Sequence, residues 1–358
     1  MNLRIPGPTP LPPEVLAAVG QQMINHRGPQ FEALFRDVSA WLKVFFETDN
    51  DVYILTSSGT GGMEAAIVNT LSPGDRVLAV TIGVFGDRFA EIAEAHGANV
   101  TRLSFPMGKA ADPTVVGAKV ADEGPFAAVL LTQNETSTGV TNDVEALAAA
   151  IRSAAQPAPL ILVDGISGMG AIRLRTDAWG CDVVISGSQK AWMAPPGLAM
   201  ISFGPRAWEA YARSKMGKYY FDLGEARKYA QKNQTPATPN IAALYGLHVS
   251  LQKMMAEGLE GTIARHARIG EYCRAGIRAL GLELFADPAH YSNTVTAVSL
   301  KKGGKSASQV LKELETKYGI VCGSTKAPGV EMIRIGHMGY VTEADLDQVF
   351  AALREVVV

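Results

Sequence analysis

The chain has 358 residues, too many for one small core and about two or three domain lengths. Its 33 Lys+Arg against 35 Asp+Glu give a formal charge of −2, which argues against a nucleic-acid binder recruited by bulk positive field and against an acidic disordered solubiliser. Hydrophobic residues make up 47% and charged residues 19%, a balance suited to buried cores rather than disorder. Mean hydropathy is +0.08, but no run approaches the ~20 apolar residues of a spanning helix. The start, Met1-Asn2-Leu3-Arg4-Ile5-Pro6-Gly7-Pro8, has no apolar h-region, so no secretory leader is expected. Cys181, Cys273 and Cys322 are odd in number and widely spaced, which argues against a disulfide framework and fits a reducing compartment. The expectation is a soluble cytoplasmic α/β protein with no nucleic-acid or membrane partner.

In chain order, strands are expected at Val52–Thr56, Arg76–Val80, Asn99–Leu103, Ala127–Thr132, Leu160–Asp164 and Val183–Ser186. Helices are expected between them at Met63–Leu71, Arg88–His96, Pro113–Ala121 and Val144–Ala155. Apolar runs such as Ala127 to Leu131 suit parallel strands covered by helices on both faces, and the alternation suits βα crossovers on one sheet. Ala199–Phe203 follows a short Pro-rich loop and is a candidate antiparallel strand. The stretch 215–233 is polar and aromatic, and 235–239 is irregular. One long helical stretch is expected from about Ile241 through Leu280. After it come strands near Thr294–Leu300 and Met332–Ile335, and helices near Ser306–Tyr318 and Glu343–Glu355. This divides the chain into an N-terminal arm (1–16) outside both cores, a large domain (17–257) and a smaller C-terminal α+β domain (258–358).

Three motifs carry chemistry. Thr56-Ser57-Ser58-Gly59-Thr60-Gly61-Gly62 joins a strand to a helix and offers free backbone N–H groups and a positive helix end. It is not a dinucleotide fingerprint, because Glu64 replaces the third glycine and the next strand ends Ala79-Val80-Thr81 without an acid. Nor is it a Walker A loop, since no Gly-Lys-Ser/Thr follows. It reads as a cradle for a single phosphate, or as a plain capped turn. Leu160-Ile161-Leu162-Val163-Asp164 puts a carboxylate at the C-terminal end of a buried strand, where open α/β sheets bind ligands, although an N-cap or ion-pair partner would look the same. Lys190, in Ser186-Gly187-Ser188-Gln189-Lys190 before Ala194-Pro195-Pro196-Gly197, is held at a strand exit, where desolvation makes an amine nucleophilic toward carbonyls. A phosphate cradle, a strand-end acid and a buried lysine together are what pyridoxal 5'-phosphate requires.

On these residues the chain resembles the class V aminotransferases, fold-type-I pyridoxal-phosphate enzymes, nearest the alanine–glyoxylate, serine–pyruvate and serine–glyoxylate aminotransferases. The likeness extends through Ile5-Pro6-Gly7-Pro8-Thr9, Gly83-Val84-Phe85-Gly86-Asp87-Arg88, Gln133-Asn134-Glu135-Thr136-Ser137-Thr138-Gly139 and Arg334-Ile335-Gly336. It implies a mostly parallel seven-stranded sheet flanked by helices in the large domain. It makes Lys190 the Schiff-base lysine and proton carrier, with Asp164 at the ring nitrogen. Phe85 would stack on one ring face, Ile166 would close the other, and Thr136 would lie near the ring hydroxyl. Ser58, Gly59, Thr60 and Gln189 would hold the phosphate, joined by Thr235 and Thr238 from the partner subunit of a homodimer. Gly7 would line the substrate pocket, and Arg334 would grip the substrate α-carboxylate as a bidentate fork.

The activity implied is ping-pong transfer of an amino group from alanine or serine to glyoxylate or pyruvate. Alternatives within the fold are a lyase, a cysteine desulfurase, or a transaminase for pyridoxamine or an aminophosphonate; a non-catalytic relative is another. Desulfurases of this fold place a cysteine on a mobile loop and usually a histidine before the lysine. Here Gln189 precedes Lys190, and Cys322 follows Ile320-Val321, which suits a buried structural thiol. The six histidines lack metal-ligand spacing, so no metal is expected. His26-Arg27 is read as a partner contact or a solvated pair, and the lysines from Lys301 to Lys305 as a solvated turn. The choice between the two 2-oxo acids is expected to turn on the pocket around Gly7 and the loop before Arg334.

Overall fold

The computed structural model describes residues 1–300, 304–325 and 330–357. Lys301 and Lys302 of the expected turn, and residues 326–329 of the loop before Arg334, lie outside the described residues. A seven-stranded sheet is built from residues 52–203, in the order Val52–Leu55, Ala199–Phe203, Val183–Gly187, Leu160–Asp164, Ala128–Thr132, Arg76–Thr81 and Asn99–Ser104. Its strands are parallel except Ala199–Phe203, which runs antiparallel to both neighbours. Alternation along each strand splits the core between the two faces. Ile161 and Val163 pack with Val129 and Leu131 under the helix Pro29–Phe46 side. Leu160 and Leu162 pack with Ala128 and Leu130 under Gly59–Thr70 and Val84–Ala95.

A second, five-stranded sheet lies in the C-terminal part, ordered Asn2–Arg4, Ile320–Ser324, Met332–Gly336, Val295–Ser299 and Glu283–Leu284. Helices Leu259–Ala279, Ala307–Tyr318 and Glu343–Val356 complete its core with residues such as Ile277, Val310 and Leu353.

Two expectations need correction. The stretch 241–280 is two helices, Ile241–Glu257 and Leu259–Ala279, broken at Gly258, whose φ of +78° lies outside helical space. The first segment is not outside both cores either. Asn2–Arg4 pairs in parallel with Ile320–Ser324, and Arg4 is buried. The helix Pro13–Val19 buries Val15 and Ala18 and packs on Ile241–Glu257. The prolines that made this segment look detached sit between these two attachments. Among the described residues no helix is long and apolar enough to cross a membrane.

Candidate active site

The C-terminal ends of the parallel strands open into a cavity of ≈ 240 Å³ lined by residues from six separate stretches of chain. Ser58, Gly59 and Thr60 come from the start of helix Gly59–Thr70, Phe85 and Arg88 from the start of Val84–Ala95, and Thr136 from the turn after Asn134–Glu135. Asp164 and Ile166 come from the end of Leu160–Asp164, Gln189 and Lys190 from the loop after Val183–Gly187, and Gly7 from the N-terminal segment. Eleven of the thirteen positions singled out in the sequence are thus accounted for by this cavity or, for Arg334, by direct contact with its wall. Thr235 and Thr238 do not line it. Thr235 is buried, its hydroxyl donating to the Ala237 carbonyl at 2.8 Å, and Thr238 is exposed.

Asp164 is 4% exposed. Its Oδ1 accepts the Ile166 N–H at 2.9 Å, while Oδ2 has no protein partner among the described residues. Burial pushes the carboxyl up to about 7, against the pull of the Ile166 N–H and the Lys190 and Arg88 charges, with Glu135 adding to the rise. Lys190 is buried too, and burial brings its amine down to about 8 although Asp164 opposes this. Its Nζ donates to the Pro6 carbonyl at 2.5 Å. Gly7, at φ +128°, lets the chain pass this amine, since a Cβ there would sit 2.7 Å from Nζ.

The lysine loop is rigid. Ser188 Oγ donates to the Pro195 carbonyl at 2.5 Å, Thr9 Oγ1 donates to the Lys190 carbonyl at 3.1 Å, and the fully buried Trp192 donates to Ser186 Oγ at 2.7 Å. Stacked on Phe46, Trp192 fixes the loop to the core. The helix Gly59–Thr70 has no side-chain cap, so its first-turn N–H groups are free to meet an anion.

Arg334 projects from the strand Met332–Gly336, donating from Nη1 to the Thr136 carbonyl at 2.8 Å and from Nη2 to the Ser324 carbonyl at 2.5 Å. Its Nε is buried without a partner. Burial lowers the guanidinium's pKa, opposed by Glu135. Sequence reasoning missed four further wall residues, Met63, Arg88, Asn134 and Ser167. Arg88 follows Phe85 by one helical turn and lies over its ring at 4.8 Å, and among the described residues it makes no hydrogen bond or ion pair. That i, i+3 spacing was readable; the role of Asn134, which donates to Ser167 Oγ at 2.8 Å across two loops, was not. Cys322 is buried in Ile320–Ser324 with its thiol pushed up to about 12, so it has no thiolate to offer at neutral pH.

A mostly parallel sheet covered on both faces, with a lysine and an acid buried together at its carboxyl edge, is the architecture of an α/β enzyme. Residues 1–349 match the family model "Aminotransferase class-V", and the chain belongs to that family. It is 41% identical over 99% of its length to a "Soluble hydrogenase, small subunit" of Synechococcus sp. (strain PCC 6716), covering 92% of that protein. It is 38% identical to an "L-aspartate--glyoxylate aminotransferase" of Paracoccus denitrificans (95% and 87% covered) and 36% identical to a "Serine--glyoxylate aminotransferase" of Arabidopsis thaliana (96% and 87%). The solved aspartate aminotransferase of Thermus thermophilus superposes with a TM-score of 0.90 at 31% identity, covering 99% of this chain and 98% of that one.

Proposed function

We propose that the chain is a pyridoxal 5'-phosphate-dependent aminotransferase moving the amino group of alanine or serine to glyoxylate or pyruvate. The observation that carries the reading is one cavity holding both a desolvated lysine and a desolvated carboxylate with an unpartnered Oδ2. These residues suit the cofactor. A buried acid pushed up to about 7 gains most from a cationic ring nitrogen, which would hold it as a carboxylate. The uncapped helix start at Ser58, Gly59 and Thr60, with Gln189 beside it, suits a phosphate. Phe85 and Ile166, both in the cavity wall, would cover the two ring faces, and Thr136 would meet the ring hydroxyl. When bound, the cofactor supplies an aldehyde that captures amines and a ring that accepts the electron pair left at Cα.

Lys190, with its amine near 8, can both take a proton from the substrate Cα and return one at neutral pH. Arg334 offers the α-carboxylate its orphan Nε–H and the remaining Nη hydrogens. Donor and acceptor share that carboxylate, so one site serves both half-reactions. We assign Thr235 and Thr238 to the partner's phosphate in a homodimer. Arg27 supports this, since its Nη1 donates to the Thr235 carbonyl at 2.5 Å and steadies that loop. Three buried free thiols fit a cytoplasmic location.

Arg88 favours a second reading of the donor. A guanidinium in the cavity wall with no ion pair among the described residues would suit a second carboxylate, as in aspartate. Purified protein given pyridoxal phosphate should gain a visible absorbance band that borohydride removes and that Lys190→Ala lacks. A donor panel of alanine, serine, aspartate and an aminophosphonate against glyoxylate and pyruvate then decides the substrate. Preference for aspartate transfers the assignment to the second reading, and preference for the aminophosphonate defeats both. One relative is named as a hydrogenase subunit, and we expect this chain to lack hydrogenase activity.

A further inference from the structure

Glu135 is fully buried, in the two-residue strand Asn134–Glu135, and makes no ion pair among the described residues. Its Oε2 accepts the Phe85 N–H at 2.9 Å and the Gly86 N–H at 3.3 Å, and its Oε1 accepts the Ser137 N–H at 3.0 Å. It therefore replaces the side-chain cap that the helix Val84–Ala95 lacks, because the N-cap there is Gly83. Gly83 cannot be a capping serine or aspartate in this packing, since its Cβ would sit 2.7 Å from Glu135 Cγ and 2.5 Å from Ser137 Oγ. Burial raises the Glu135 carboxyl, and the Ser137, Phe85 and Gly86 contacts oppose that rise.

The residues beside Glu135 reach the other half of the site. The Thr136 carbonyl accepts from Arg334 Nη1 at 2.8 Å, and the Ser137 carbonyl accepts from Thr325 Oγ1 at 2.6 Å. One short turn thus touches the Phe85 helix in the large domain and the Arg334 and Thr325 segments of the small one. We propose that Glu135 is a positioning residue, which holds the Phe85 ring against the cavity and, through the Thr136 carbonyl next to it, the Arg334 guanidinium. The proposal rests on the functional reading above, in which Phe85 faces the cofactor and Arg334 the substrate carboxylate.

Glu135→Gln keeps the shape but turns an amide nitrogen toward a backbone N–H, leaving a buried donor without an acceptor. Apo wild type and apo E135Q are titrated with pyridoxal phosphate, followed by visible absorbance and visible circular dichroism, and KM and kcat are then measured. The dissociation constant should weaken by up to about tenfold, because binding the cofactor must restore the Phe85 helix start that the orphaned donor displaces. Dichroism per bound cofactor should fall, and KM should rise for both amino acid and 2-oxo acid. Glu135→Ala should show the same changes more strongly, and E135Q decides alone if that variant does not fold. Unchanged affinity, dichroism and KM in folded E135Q overturns the proposal. A wild type that takes up no cofactor overturns instead the reading beneath it.

Discussion

Lys190 should react with added pyridoxal phosphate at a rate governed by an amine pKa near 8 rather than the ordinary 10.5. Only the neutral amine attacks an aldehyde. At pH 7 an ordinary lysine is neutral in about one molecule in 3,000, and one with a pKa of about 8 in about one in 11. Burial of Lys190 therefore raises the reactive fraction by about 300-fold at neutral pH, before any gain from placement. Stopped-flow mixing of apo protein with pyridoxal phosphate from pH 6 to 10 reads this directly. The rate should climb about tenfold per pH unit below 8 and level off above it. In Asp164→Asn the bend should move lower, because Asp164 is the charge that supports the ammonium. A rate that climbs unbroken to pH 10 would refute the desolvation argument, and a bend unmoved in Asp164→Asn would refute the coupling.

Arg334→Lys removes the planar fork, so KM for donor and acceptor should both rise by about tenfold or more, with a smaller change in kcat. Gly7→Ala places a Cβ 2.7 Å from Lys190 Nζ on a backbone at φ +128°, so cofactor loading should slow by about 100-fold while the protein stays folded by circular dichroism. His266, whose Nδ1 lies 2.7 Å from the Thr262 carbonyl and whose Nε2 accepts the Gly339 N–H at 2.9 Å, is held neutral by burial with its pKa lowered to about 4. Its contribution is present above the unfolded value of about 6.5 and is lost as pH falls toward 4, a loss on the order of 3 kcal/mol. Urea unfolding between pH 4 and 7 should show this slope, flattened in His266→Gln. Mixing Lys190→Ala with Thr238→Ala chains should produce hybrids with one site free of both substitutions; activity no greater than either parent's would contradict the homodimer assignment.

The seven-stranded sheet was legible because its inner strands, such as Ala128–Thr132 and Leu160–Asp164, are buried apolar runs whose length left little choice, while the partly exposed edge strand Asn99–Ser104 was marked by its place in the alternation. Asp164 and Lys190 were legible because polar residues stand out at the ends of such runs. The N-terminal segment was misread because Asn2–Arg4 is too short to have a period, and its pairing with Ile320–Ser324 depends on a strand more than 300 residues away. Gly258 was passed over because single glycines occur inside helices; only its positive φ reveals the break. The capping role of Glu135 is not legible in the sequence, since its partners, Phe85 and Gly86, lie on a helix some 50 residues away and nothing local marks a carboxylate as a remote cap.

Borohydride reduction of the protein after incubation with pyridoxal phosphate, followed by peptide mass mapping, tests the central claim most directly. A single reduced cofactor adduct on Lys190 is the predicted result. An unmodified Lys190, or an adduct confined to other lysines, would contradict the account.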